Sequence, residues 1–190
     1  MKRVGILGGT FDPPHQGHMI MAEFTRQAMD LEEIWFLPSY IPPHKKEAAL
    51  PSKDRLEMVE RAVASNLNFT VCDIELKRKG KSYTVDTIQA LKRAYPDHEF
   101  FFIIGGDMVE HLPKWHRIDE LATLVEFIGV HRPGFEWRPD LPVHFVEIPK
   151  VDISSTVIRK RRSRGETIRY LVPEPVYHYI KERQLYGNKS

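Results

Sequence analysis

The chain has 190 residues, 42% hydrophobic and 28% charged, with 28 Lys and Arg against 26 Asp and Glu. That length suits one well-buried core, so a single domain over 1–190 is expected, and a net charge of +2 is too small to gather nucleic acid by bulk attraction. One cysteine, Cys72, rules out an intrachain disulfide; with no run near the ~20 apolar residues of a spanning helix and only four apolar residues between Lys2-Arg3 and Gly8, a cytoplasmic protein with no membrane partner is expected.

VGIL (4–7), closed by Gly8-Gly9, reads as a buried strand. From Gly17 the period becomes helical, with Ile20, Met21, Phe24 and Ala28 on one face. IWFLP (34–38) reads as a second buried strand, followed by SYIPPHKKEAALP, a loop too proline-restricted to be a floppy linker. Ser52 is a candidate cap for a helix carrying Leu56, Val59 and Val63. FTVCDIEL (69–76) reads as a strand, and Thr84 as the cap of a helix with Val85, Ile88 and Leu91 inward. EFFFIIGGD (99–107) is the strongest strand signal and again ends in Gly-Gly. VEFIGV (125–130) and HFVEI (144–148) follow as strands on either side of the turn-rich HRPGFEWRPDLP. ISSTVIRKRRSRG reads as a loop entering a helix, and Pro175 to Leu185 as a closing amphipathic helix.

Strands apolar on both faces and separated by helical patterns predict an α/β fold: a doubly wound parallel sheet with helices on both faces and a small C-terminal helical extension. In such sheets ligands sit beyond the carboxyl ends of the strands, near a topological switch point. Both Gly-Gly pairs then fall on one rim.

The first of these rim segments is GGTFDPPHQGH (8–18). It lacks both the P-loop and the G-x-G-x-x-G pattern, yet it holds the parts of a phosphate cradle. Gly8 and Gly9 permit close backbone approach and positive φ, and the following helix start favours an anion. His15 and His18, three apart, are placed to reach one ligand, and an anion beside them favours their protonated form. A tight turn with surface histidines, or a metal site with His44, are the alternatives. ISSTVIR (153–159) is a second anion-ready helix start, with Ser154, Ser155 and Thr156 one turn before Arg159. A capped helix with a solvated basic face is its alternative; a nucleic-acid patch is weaker, because no aromatics interleave with the arginines.

GGTFDPPHQGH and ISSTVIR resemble the two signatures of the (H/T)xGH nucleotidyltransferase superfamily. PPHK (42–45), the G-x-D of 105–107, Trp115, HRPG (131–134) and YLVPEPVYHYI near the end are further similar to bacterial nicotinate-nucleotide adenylyltransferases. The resemblance runs from Val4 to the tail. It implies a Rossmann-like sheet and adenylyl transfer from ATP to nicotinate mononucleotide, yielding deamido-NAD and pyrophosphate, with Mg²⁺ carried on the ATP phosphates. A sibling acting on nicotinamide mononucleotide or pantetheine phosphate, and a non-catalytic nucleotide-binding module, are the rivals.

By the same resemblance, Gly8, Gly9, Thr10 and Phe11 line the strand end where both substrates meet. His15, His18 and Arg159 are the catalytic candidates. His15 and His18 hold the ATP phosphates, and Ser155, Thr156 and Arg159 grip the leaving pyrophosphate. Gly105, Gly106 and Asp107 suit the nucleotide ribose, although an Asp after Gly-Gly is also a common helix cap. Trp115 looks like the nicotinate platform, with Tyr83 and Thr84 offering N–H donors to the carboxylate. Lys45 and Arg132 are partners for the mononucleotide phosphate, with Lys46 as alternative to Lys45. Asp12 is read as a turn-former rather than a metal ligand. Oligomerisation is left open.

Overall fold

The computed structural model describes residues 1–42, 48–131 and 141–187, the Asp107 side chain apart. Its strands are β1 (Lys2–Gly9), β2 (Glu33–Pro38), β3 (Phe69–Val71), β4 (His98–Gly105), β5 (Glu126–His131) and β6 (Val143–Glu147). They form one sheet in the order β3-β2-β1-β4-β5-β6, and every neighbouring pair is parallel. The chain therefore starts at the centre, winds outward to β3, and returns to β4 to wind the other way. The reversal lies between β1 and β4, paired through Leu7 and Ile103, so both Gly-Gly pairs end on the same rim.

Alternation along each strand splits the apolar residues between two faces. Val4, Ile6, Trp35, Leu37, Phe100 and Phe102 pack under α4 (Thr84–Ala94) and α6 (Ile118–Leu124) through Ile88, Leu91 and Leu121. Leu7, Ile34, Phe36, Phe101 and Ile103 pack under α1 (Gln16–Ala28) and α2 (Ser52–Val63) through Ala22, Val59 and Val63. This is the doubly wound Rossmann-like sheet that the sequence predicts. The C-terminal extension, α7 (Ser155–Ser163) and α8 (Glu174–Glu182), adds a third core, with Ile158, Val176 and Ile180 against Met58 and Ala62 of α2.

Four local expectations are corrected. Only Phe69–Val71 of FTVCDIEL is strand: Cys72 N–H makes the last bond to Phe36 O (2.8 Å), and Ile74–Arg78 turns into a short helix, α3. On α1 the buried positions are Ala22 and Thr25, small enough for close approach, and Met21 packs against the core as read, whereas Phe24 is 44% exposed and Ala28 faces solvent. Ser52 and Thr84 are the first helical residues rather than caps; Pro51 and Tyr83 hold the cap positions without side-chain cap bonds. The positive φ in the first rim segment belongs to Phe11 (51°), not to Gly8 or Gly9. The helical start α5 (Gly106–Val109) also went unread, because four residues are too few to show a period.

Candidate active site

β1 hands the chain to a turn that carries Phe11 at φ 51° and a cis Asp12–Pro13 bond, and α1 then begins with His15 at its cap. Gly9 is needed for space, because a Cβ there would lie 3.1 Å from the Phe11 ring. Gly17 is needed for the same reason, since its Cβ would come within 3.0 Å of the His15 ring. The two imidazoles stack with centroids 3.7 Å apart, and Phe11 supports His18 edge-on at 4.9 Å. Phe11 is thus a buried wedge beneath the histidines, with 2% of its surface exposed.

His15 backbone N–H donates to His18 Nδ1 (3.1 Å), which assigns the proton of a neutral His18 to Nε2. His15 is 7% exposed, and burial lowers its pKa to about 4, so in the free protein it is neutral near pH 7. In the free protein His15 therefore offers a neutral N–H donor, and the protonation expected of the rings concerns the state with an anion beside them. The lowered pKa has a consequence for stability. The folded state binds fewer protons than the unfolded chain between about pH 4 and 6.5, so the contribution is whole above 6.5 and disappears progressively as pH falls to about 4. A loss of about 3 kcal/mol across that window is expected, and it should be missing from His15→Gln. Urea unfolding of both proteins at pH 7, 5.5 and 4 checks this; parallel stability curves would contradict it.

The second signature meets the first here. Arg159 Nη1 donates to Asp12 O at 2.7 Å and Nη2 to Thr156 Oγ1 at 3.3 Å. Ser155 Oγ donates to Pro13 O at 2.8 Å, so its hydroxyl holds the loop rather than pointing to a phosphate. Ser154 caps α7, accepting from Val157 N–H at 3.2 Å. The starts of α1 and α7 therefore both open onto the rim, with Arg159 beside the histidines.

Across the rim, Tyr83 caps α4 and its ring lies 4.3 Å from that of His116. Trp115 is half-buried, edge-on to Phe102 at 5.7 Å, and its Nε1 is buried with no hydrogen-bond partner in the structure. Gly105 and Gly106 end β4 and begin α5; Asp107 belongs to that turn, but its side chain lies outside the described residues. Lys45 and Arg132, with His44 and Lys46, also lie outside them. Gly8, Gly9, Thr10, His15, His18, Tyr83, Thr84, Gly105, Trp115, Ser155, Thr156 and Arg159 all border one cleft of about 1330 Å³. That is above the roughly 300–1,000 Å³ of a typical small-molecule pocket.

Two supporting residues escaped the sequence reading. Arg55 is 1% exposed and donates to the carbonyls of Thr10 (2.7 Å), Ser39 (2.8 Å) and Tyr40 (3.4 Å), tying the ends of β1 and β2 together. Its signal was a cation on the inward stripe of α2, in step with Met58, Val59 and Ala62. Glu75, buried and pushed up in pKa by desolvation, accepts from Thr87 Oγ1 (2.7 Å) and from Ser82 beneath the Tyr83–Thr84 turn. Asp12 lies in the turn, as read, and is also a buried junction that the sequence did not announce: Oδ2 accepts from Ala49 N–H and Oδ1 from the Tyr186 hydroxyl, both at 2.5 Å.

A parallel sheet with its switch point at β1/β4, and two phosphate-ready helix starts converging there, defines a nucleotidyltransferase; the family model for cytidylyltransferase-like proteins matches residues 6–161. The chain belongs, within that class, to the nicotinate-nucleotide adenylyltransferases. It is 54% identical to a protein of Oceanobacillus iheyensis named "Probable nicotinate-nucleotide adenylyltransferase", with 98% of each chain covered. A Geobacillus thermodenitrificans protein of the same name is 56% identical, with 100% of this chain and 88% of that one covered. The fold also matches Plasmodium falciparum nicotinic acid mononucleotide adenylyltransferase, solved in complex with APC and with NaAD, at TM-score 0.80 and 20% identity over 98% of both chains. No helix among the described residues is long and apolar enough to cross a membrane.

Proposed function

We propose that the protein transfers the adenylyl group of ATP to nicotinate mononucleotide, giving nicotinate adenine dinucleotide and pyrophosphate, a step of NAD biosynthesis. The observation that carries this reading is the meeting of the two signatures on one rim, with Arg159 held 2.7 Å from Asp12 O beside the stacked His15–His18 pair. The named relatives support it at full length.

The mononucleotide phosphate is already a nucleophile, so no general base is required. One of its oxygens bonds to the α-phosphorus of ATP as the bond from that phosphorus to the bridging oxygen breaks, and pyrophosphate departs with the electron pair. What the protein supplies is positioning and charge stabilisation. His18 donates from Nε2 toward the α-phosphate, His15 donates as a neutral ring, and the Arg159 guanidinium with Thr156 takes the charge of the leaving pyrophosphate. Mg²⁺ enters on the ATP phosphates as part of the substrate. Both Asp12 oxygens are engaged by donors within the protein. Gly105, Gly106 and Asp107 suit the ribose, Lys45 and Arg132 the mononucleotide phosphate. With one cysteine and no disulfide to maintain, the cytoplasm is the setting proposed.

Acid is chosen over amide at the start of α4. Its N–H groups and positive dipole end match a carboxylate, whereas an amide brings an N–H₂ that finds only donors. Leaving that group unpaired costs about 1–3 kcal/mol, or roughly 5- to 150-fold. Pyrophosphate release measured with ATP and CTP, each against nicotinate mononucleotide, nicotinamide mononucleotide and pantetheine phosphate, tests the reading. The expected result is a clear maximum for ATP with nicotinate mononucleotide; a maximum elsewhere, or no release, would contradict it.

Trp115 supplies the ring platform in this scheme. Its truncation to alanine is expected to weaken mononucleotide binding by roughly 1–3 kcal/mol while sparing ATP, as for bases stacked on aromatics. Calorimetric titration of each substrate into Trp115→Ala measures both affinities. An unchanged mononucleotide affinity would remove the platform.

A further inference from the structure

The tail after α8 is the part of the sequence that the proposed chemistry leaves without a role. Gln184 (φ 51°) and Tyr186 (φ 58°) both take left-handed backbone, a costly conformation for side chains of this size and one that persists only where the surroundings enforce it. What the conformation achieves is to bring the Tyr186 hydroxyl 2.5 Å from Asp12 Oδ1. Asp12 is the junction of the phosphate loop: its other carboxylate oxygen accepts from Ala49 N–H, and its main-chain carbonyl accepts from Arg159. Burial and the adjacent Asp12 push the Tyr186 phenol far up in pKa, so it stays a donor throughout the working range.

The geometry points to Tyr186 as a positioning residue: its clasp on Asp12 lets the C-terminal tail hold the carbonyl on which the Arg159 guanidinium is seated. This rests on the proposed adenylyl transfer. The tail does not touch the phosphates itself. Tyr186 does not border the cleft, and the extension grips the start of α1 as well, where Leu171 O accepts from Gln16 N–H at 2.9 Å. Without the hydroxyl, Asp12 Oδ1 loses its donor inside the protein, and the loop can rotate away from the orientation that aims Arg159. Misplacing such a group lowers the chemical step while leaving the mononucleotide end, built on Trp115 and Tyr83, as it was.

The test compares Tyr186→Phe with Tyr179→Phe. Tyr179 makes an analogous tie from the same extension, its hydroxyl donating to Asp54 Oδ1 at 2.7 Å, but Asp54 does not border the cleft, whereas Asp12 does. With ATP and nicotinate mononucleotide, assayed well below both melting temperatures, Tyr186→Phe is expected to lose about tenfold in kcat with KM for the mononucleotide within about twofold. Tyr179→Phe is expected to lose thermal stability but keep kcat within about twofold. Wild-type kcat in Tyr186→Phe, or an equal kcat loss in Tyr179→Phe, would overturn the clasp while leaving the adenylyl transfer standing. A wild-type protein that forms no dinucleotide would overturn the transfer reading, and the clasp with it.

Discussion

His18→Ala is expected to lower kcat by about 10²–10³-fold with little change in mononucleotide binding. His18 sits at the third position of α1 with its ring sandwiched between Phe11 and His15, and the His15 N–H on Nδ1 turns its Nε2 into the donor. Because both neighbours fix the ring, the hydrogen bond costs little reorganisation as charge moves onto the α-phosphate. Alanine removes the donor and leaves the Phe11 wedge in place, so stability should fall by far less than activity. Steady-state kinetics alongside a thermal melt separates the two effects. Normal turnover in a folded His18→Ala protein would refute its role.

Arg159→Ala should be comparably severe, about 10²–10³-fold in kcat. The guanidinium has two functions in the account. Through Nη1 it holds the Asp12 carbonyl and through Nη2 it reaches Thr156 Oγ1, and in the proposed chemistry it also takes the charge of the departing pyrophosphate. Arg159→Lys keeps a charge but cannot reproduce a planar fork that reaches Asp12 O and Thr156 Oγ1 together, so only a small part of the activity should return. Kinetics of both variants at saturating mononucleotide, with ATP varied, would show this. A lysine variant at wild-type rate would mean that a point charge suffices there and that the seat on Asp12 is irrelevant.

The parts of this molecule that were legible in the sequence are those with repeated local signals. Four of the strands are runs of apolar residues bounded by Gly, Pro or polar residues, and their alternation with helices implies a parallel sheet covered on both faces, though not its strand order. The two signatures are legible because phosphate chemistry needs donors at helix starts, and His15, His18, Thr156 and Arg159 do border one cleft. What stayed hidden was tertiary. Arg55 looks like an ordinary helix-surface cation until the stripe it shares with Met58 and Val59 proves to face the loops. Asp12 beside two prolines looks like a turn residue, because nothing local announces a tyrosine 174 positions away. Phe24 misled for the opposite reason: it fits the helical period, but the fully buried positions of α1 are the small Ala22 and Thr25, with Met19 and Met21 packed at the edge of the core. FTVCDIEL was apolar enough for a strand throughout, yet its pairing with β2 ends with the Cys72 N–H bond to Phe36 O and Ile74–Arg78 turns helical.

The central claim is that two segments far apart in the chain act as one phosphate-handling unit, and a double-mutant cycle on kcat tests it most directly. If His18 and Arg159 stabilise charge on one transferring group, removing the second after the first should cost little more, as for residues that act together. The double variant His18→Ala/Arg159→Ala is therefore predicted to lie within about tenfold of the slower single variant. Losses that multiply, giving a double variant slower by the product of the two single effects, would show independent sites and contradict the account.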